Sequence, residues 1–522
     1  MIKANSIKTP IRIARIRSST AARPFPFLSL SASSAFLKMA PVATAELSTA
    51  PAIVEAKKSV ASNAAAEPPS AYTKNTAILH RTPYQPPTAV SAEGLYFTLA
   101  DGSRIVDAVG GAAVTCIGNG NPVVKQAIKD QVEKLSYCYN MQLTNEPAEA
   151  LAKLMLEYAP GAFEQVAFVA GGSEAMEAAV KLARQYFYEI NQPQRTNFIS
   201  RQLSYHGNTL GALALSGHPS RRKVYEGILN HDSFHHVSPA YAIRFKKAGE
   251  TDEEYVARLA QELDDKFQEL GPDTVIGFVA ETVVGATTGC VAAPKGYFPA
   301  MKAVCEKYGA LFILDEVMSG MGRMGSKMHA WQTFGDNVSP DIQAVAKGLG
   351  GGYVSIGAVL MSPRVAKGIR EGSGYFFHGH TYQAHPITAA GSLAVQKVIK
   401  DDDLLTKCAE AGEYLASRLR ATLLDKSSIV APYVFDIRGG GLFWGIEFEL
   451  GEKKTPKPFG ALLQAKTMEK GLIIIAMAGS LEGGKGDYAM LAPPYNVTKE
   501  EIDTIVRIFN ESVEDLVKEY LV

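Results

Sequence analysis

The sequence predicts an α/β fold, a parallel sheet flanked by helices, followed by a smaller α+β unit. Three observations predict it. From about residue 165 to 345, short apolar runs alternate with amphipathic segments of helical period, the pattern of strand–helix–strand crossovers. Two of these runs, TVIGFVAETVVG and LFILDEV, are continuously apolar, as strands buried on both faces are. After about residue 400 the alternation stops, and the strand-like runs VFDIRGGGLFWGIEFE and GLIIIAM precede one long terminal helix.

Each element has its own signal. Residues 1–45 carry Lys3, Lys8, Arg12, Arg15, Arg17, Arg23 and Lys38 and no acid. This basic, Ser/Ala-rich start has the composition of a mitochondrial transit peptide, although a basic tail that addresses nothing shares it. Met39 opens MAPVATAELSTAP and offers a start for a leaderless, cytosolic form. Residues 40 to about 72, rich in Ala, Ser and Pro, read as an unstructured linker. From Gly94, GLYFTLADGSRIVDAVGG alternates around Asp101 and Gly102 as a β-hairpin does. A helix is predicted through NPVVKQAIKDQVEKL. In QVAFVAGGSEAMEAAVKLARQYF a strand meets Gly171 and Gly172, and Ser173 opens a helix with Glu174 and Glu177 in its first turn. GYFPAMKAVCEKYG sets Phe298, Met301, Val304, Cys305 and Tyr308 on one helical face. Thr498 and Glu501 form a capping box ahead of the last amphipathic helix.

Composition excludes several classes. With 522 residues, 47% hydrophobic and 20% charged, the chain is an ordinary globular protein with room for a large core. Its 53 basic and 53 acidic residues leave no electrostatic footprint for nucleic acid or an anionic membrane surface. No apolar run reaches the roughly 18 to 20 residues of a transmembrane helix. The five cysteines, Cys116, Cys138, Cys290, Cys305 and Cys408, lack CxxC spacing. Reduced thiols in a reducing compartment are expected, and no metal is.

Three local features carry chemistry. In GGSEAMEAA, two glycines and a serine at a helix start gather unpaired N–H groups and the positive end of the helix dipole, which suits a phosphate. By itself such a Gly-Gly pair is commonly just a turn. In PDIQAVAKGLGGGY, Lys347 follows an apolar run, where desolvation lowers an amine's pKa and frees it to act as a nucleophile. A lysine snorkelling from a strand end reads the same way. In LFILDEVMSGMGRMG, a buried strand ends on two adjacent acids, Asp315 and Glu316. Neighbouring side chains of a strand point to opposite faces, so only one of the two can face a given site. A phosphate cup, a poised lysine and a buried carboxylate are together the handles of a pyridoxal phosphate site.

At this point the chain resembles a known family. LFILDEVMSGMGRMG, followed 32 residues after Asp315 by Lys347 in DIQAVAKGLGGG, is similar to the signature of class III pyridoxal-phosphate aminotransferases of fold type I, the ω-amino-acid and amine transaminases. The likeness runs from about Tyr96 to the C-terminus and includes GGSEAMEAAVKLAR, SYHGNTLGAL, AETVVGATTG, FHGHTYQAHPITAA and RGGGLFWGIEFE. It implies a large domain with a mostly parallel, seven-stranded type of sheet over residues 131–395. It also implies a small domain built from 73–130 and 396–522, with 1–72 as targeting segment and linker. Position by position, it implies Lys347 as Schiff-base lysine and proton shuttle, and Asp315 as partner of the pyridine nitrogen. Gly172 and Ser173 would hold the phosphate, Tyr205 and Val317 would flank the ring, and Glu281 would lie beside the ring hydroxyl. Thr381 would reach the phosphate of a neighbouring subunit, making a homodimer the active unit. Glu316 and Arg323 are left to structural roles.

Three positions depart from the family's familiar form. Where γ-aminobutyrate and acetylornithine enzymes show EPVQGE, residues 281–286 read ETVVGA, so Ala286 replaces an acid. Met318 stands where a glutamine often follows DEV, and Met490 stands where an arginine precedes the C-terminal PP segment. The remaining cation nearby in sequence is Lys485, in GSLEGGKGDYAM. As a point charge it holds a small carboxylate less selectively than an arginine fork. Pyruvate is therefore expected to be preferred to 2-oxoglutarate, and apolar or long-chain amines to γ-aminobutyrate or ornithine. Ala112 and Ala113 leave room that points the same way. A pyridoxal-phosphate lyase, mutase or decarboxylase is the alternative on the same fold, and a catalytically idle homologue, a scaffold or binding protein, is the alternative from a different functional class.

Overall fold

The computed structural model describes residues 76–335 and 337–522. The transit-peptide reading of residues 1–45, the Met39 start and the linker to residue 72 lie outside the described residues.

A seven-stranded sheet runs in the order Gln165–Val169, Gly357–Met361, Ile342–Val345, Leu311–Asp315, Val275–Glu281, Asn197–Arg201, Phe234–Val237. Only Gly357–Met361 runs antiparallel to its neighbours, and the other pairings are parallel. Every residue of the three central strands is buried, because helices cover both faces. The helix Gly172–Glu189 packs across Ile342–Val345 and Gly357–Met361. Its Met176 and Leu182 share a core with Leu311 and Ile313. Phe312 and Leu314 belong to the core that holds Phe298 and Met301 of the helix Tyr297–Lys307. The strand therefore alternates between two cores, and its parity decides which acid faces which side.

Outside this sheet, Val434–Gly440, Phe443–Phe448, Asp487–Leu491 and Ile475–Met477 form an antiparallel sheet. The helices Leu404–Leu423 and Phe459–Glu469 pack against it, and Lys499–Tyr520 packs against both of them. The hairpin predicted at Asp101 is present between Tyr96–Leu99 and Arg104–Asp107. Gly102 takes φ +84°, and Asp101 Oδ1 accepts from the Ser103 N–H and hydroxyl. Leu472–Ile473 pairs in parallel with Arg104–Asp107, which joins the N-terminal segment to the C-terminal one. All described residues belong to one compact unit.

Two predicted strands are shorter than read. TVIGFVAETVVG leaves the sheet at Glu281, and Val283–Val284 pairs instead with Val291–Ala292. The cause is polar: the Glu281 carboxylate accepts from the Gly285 N–H, folding the chain back on itself. GLIIIAM divides at Ile474 between two sheets, a switch that apolar content alone does not reveal. Both bonds of the Thr498 and Glu501 capping box are made.

Candidate active site

The ends of the central strands and the loops after them bring the chemistry together. Asp315, the last residue of Leu311–Asp315, is 4% exposed. Its Oδ1 accepts from the Val317 N–H (2.9 Å). Its Oδ2 lies 2.8 Å from His206 Nδ1, which donates, since a carboxylate only accepts. The His206 ring is buried and its Nε2 has no partner.

Glu316 points into the opposite core and is wholly buried. Its Oε1 accepts from the Thr282 hydroxyl (2.9 Å) and the Trp331 N–H (2.6 Å), and its Oε2 from the Ala330 N–H and Gln343 Nε2 (both 2.9 Å). Burial pushes its carboxyl up to about 7. Glu316 ties the strand to the turn at 330 and has no lone pair free for a ligand.

Lys347 follows the strand Ile342–Val345 at the start of a tight turn, with φ +41°, a conformation rare outside glycine. Its amine makes no hydrogen bond or ion pair among the described residues. Burial lowers its pKa to about 8 against the opposing pull of Asp315 and Glu281. Glu281, itself buried and raised by burial, accepts from the Tyr205 N–H (2.8 Å).

The helix Gly172–Glu189 starts without a side-chain cap, so its first N–H groups are open. Ser173 Oγ donates to Asn208 Oδ1 (2.8 Å) and accepts from the Asn208 N–H (3.0 Å). A Cβ on Gly172 would lie 2.6 Å from Val317 Cγ1 and 3.5 Å from Ala346 Cβ, which places the start of this helix directly against the Asp315 and Lys347 loops.

Gly172, Ser173, Tyr205, Glu281, Asp315, Val317 and Lys347 thus converge. Thr381 does not join them within its own chain. It is exposed, its carbonyl accepts from Tyr137 Oη, and its hydroxyl has no hydrogen-bond partner among the described residues. Ala113 is buried in an apolar cluster with Met318, Tyr488 and Met490, and Ala112 is half-buried beside it. Lys485 is exposed on the loop before Asp487–Leu491. Arg323 is wholly buried, with its guanidinium donating to the carbonyls of Ala113, Leu442, Ala492 and Pro493. His206 and Asn208 were missed by sequence reasoning. Both lie in SYHGNTLGAL, but nothing local says that His206 meets Asp315 109 residues away.

Residues 81–513 match the family model Aminotransferase class-III. The chain belongs to the class-III aminotransferases. It is 45% identical over 436 residues to an uncharacterised aminotransferase of Schizosaccharomyces pombe, covering 82% of this chain and 93% of that one. A chloroplastic gamma aminobutyrate transaminase 3 of Solanum lycopersicum is 33% identical over 84% of this chain and 83% of its own. Among solved structures, the omega transaminase of Pseudomonas jessenii in complex with PMP superposes with a TM-score of 0.77 at 30% identity, over 83% of this chain and 94% of that one. This aminotransferase is a fold type I enzyme that depends on pyridoxal phosphate. Its donor set fits that cofactor: open N–H groups for the phosphate, a buried acid for the pyridinium, and, for the aldehyde, a half-buried amine without an ion pair among the described residues.

Proposed function

We propose that the enzyme moves an amino group from a primary amine or ω-amino acid to a small keto acid, with pyruvate preferred to 2-oxoglutarate. The observation that carries this reading is the setting of Met490. It is 1% exposed in an apolar cluster with Ala113, Met318 and Tyr488, at the position where the resemblance expects an arginine. Ala286 likewise offers no acid, only a carbonyl that accepts from Tyr488 Oη (2.9 Å). A second carboxylate finds no partner at these positions. Relatives named as gamma-aminobutyrate and omega transaminases support the amine and ω-amino-acid donor class.

When bound, the cofactor supplies an electron sink for the carbon that loses its proton. The protein's residues do the rest. The N-terminus of Gly172–Glu189 and Ser173 Oγ hold the phosphate. Asp315, pinned by His206 and the Val317 N–H, keeps a proton on the pyridine nitrogen. Lys347 would hold the cofactor through its Nζ, and the same amine is placed to take the proton from the amine-bearing carbon and pass it to the cofactor carbon. Tyr205 and Val317 would flank the ring, and Glu281 would lie beside its hydroxyl.

We also propose a homodimer in which Thr381 of one subunit reaches the phosphate of the other. The Thr381 carbonyl accepts from Tyr137 Oη, and Tyr137 meets Tyr382 edge-on at 6.1 Å; both rings are exposed, a surface suited to a second copy. We propose further that residues 131–395 form the large domain, that 73–130 and 396–522 form the small one, and that residues 1–45 carry a mitochondrial address. The acceptor assignment is tested by kcat/KM for pyruvate and for 2-oxoglutarate with one amine donor. At least a tenfold preference for pyruvate is expected, a preference for 2-oxoglutarate overturns the reading, and product release without any acceptor would mark a lyase.

A further inference from the structure

Arg221 is a cation at the active site that the roles above leave unused. It lies in the short helix Pro219–Arg222, and its Cζ stands 4.1 Å from the centre of the Tyr205 ring. This is the tyrosine whose N–H is held by Glu281. Arg221 is half-buried, and its nitrogens make no hydrogen bond or ion pair among the described residues. Its neighbour Arg222 differs, donating to the carbonyls of Ala214 and Ser216 and to Glu226.

The surroundings of Arg221 belong to the site. His218 meets Tyr205 edge-on at 6.1 Å. Burial first, and then Arg221, hold His218 down to about 4, so it stays neutral. The charge of Arg221 also reaches Tyr488 and Lys347. Of the other cations, Arg323 also reaches Lys347, but its guanidinium is bonded to backbone carbonyls. Arg201 is buried on the Glu281 carbonyl, and Lys485 is exposed on its loop.

A half-buried guanidinium with no anion has lost hydration without recovering it, and its planar fork matches a carboxylate. We propose that Arg221 binds the carboxylate of the keto-acid acceptor, and of the amino acid it becomes, making it the residue that selects small monocarboxylates. This rests on the aminotransferase reading above and replaces Lys485 in the role that nearness in sequence suggests for it. One open fork receives one carboxylate, and neither Met318 nor Met490, both buried in an apolar cluster, offers a partner to a second.

The test uses the pyridoxal-phosphate holoenzyme and its R221M and R221K variants. Three quantities are read: kcat/KM for pyruvate, kcat/KM for an uncharged aldehyde with the same amine, and the calorimetric Kd of propanoate, an unreactive carboxylate of similar size. In R221M, kcat/KM is expected to fall at least tenfold further for pyruvate than for the aldehyde. Propanoate binding should weaken by a similar factor, and R221K should recover part of both. Equal losses with the two acceptors, or propanoate bound as tightly by R221M as by wild type, overturn the proposal. Wild type that turns over neither acceptor would instead refute the aminotransferase reading, while the propanoate comparison would still decide the role of Arg221.

Discussion

At the scale of the residue, one acidic pair shows how position assigns chemistry. Asp315 keeps contact with a histidine and a single N–H, whereas Glu316 accepts four hydrogen bonds in the core. Replacing Asp315 by Asn should remove the charge that holds the pyridinium proton and slow proton abstraction on the order of a hundredfold, the scale of a lost electrostatic contribution. Replacing Glu316 by Gln sets an NH2 against two of its donors. That should cost roughly 1–3 kcal/mol of stability, read as a lower unfolding midpoint, while the chemical step stays within about twofold. If the second change proved the crippling one, the facing of the two acids would be reversed. Lys347 gives the pH dependence. Its amine is cationic and unreactive below its pKa of about 8 and neutral above it. Covalent attachment of pyridoxal phosphate to the cofactor-free protein should therefore speed up as pH rises through about 8 and then level off. Stopped-flow absorbance at fixed cofactor concentration follows it, and a rate still climbing near about pH 10, where an ordinary lysine titrates, would contradict the assignment.

At the scale of the element, the decisive contact is between the start of Gly172–Glu189 and the loop after Leu311–Asp315. A methyl group on Gly172 would meet Val317 Cγ1 at 2.6 Å, so Gly172→Ala must push the helix start and Val317 apart. Cofactor affinity should fall at least tenfold in equilibrium dialysis with the far-ultraviolet spectrum unchanged. Adding Val317→Ala, which removes the clashing methyl, should recover part of it. Equal affinity in wild type and Gly172→Ala would show that the turn has slack. The glycine pair is legible in the sequence as a helix start. The contact is not, because 145 residues separate its partners.

At the scale of the whole molecule, a shared site has a mixing test. Thr381→Ala should weaken cofactor binding, and Lys347→Ala should abolish turnover. A mixed dimer of the two holds one site with both residues intact, so unfolding and refolding them together should restore activity; no recovery would mean that Thr381 serves its own chain. The address makes a separate prediction. Residues 1–45 fused to a reporter should carry it to mitochondria and a fusion beginning at Met39 should leave it cytosolic, and a cytosolic signal from both would reject the targeting reading.

By itself the sequence determined the α/β alternation, the apolar central strands, the capped terminal helix, and the three separate handles of a cofactor site. These depend on residue type and on periods of a few residues, which local sterics and burial impose. The tertiary structure decided which handles meet. It paired His206 with Asp315, closed Glu281 onto Tyr205, buried Met490 among apolar neighbours, and set Arg221 over the Tyr205 ring with no ion pair among the described residues. Lys485 stands out in the sequence only by its nearness to Met490 along the chain. Distance along a chain says little about distance through a folded core, where loops from different strand ends converge on one point.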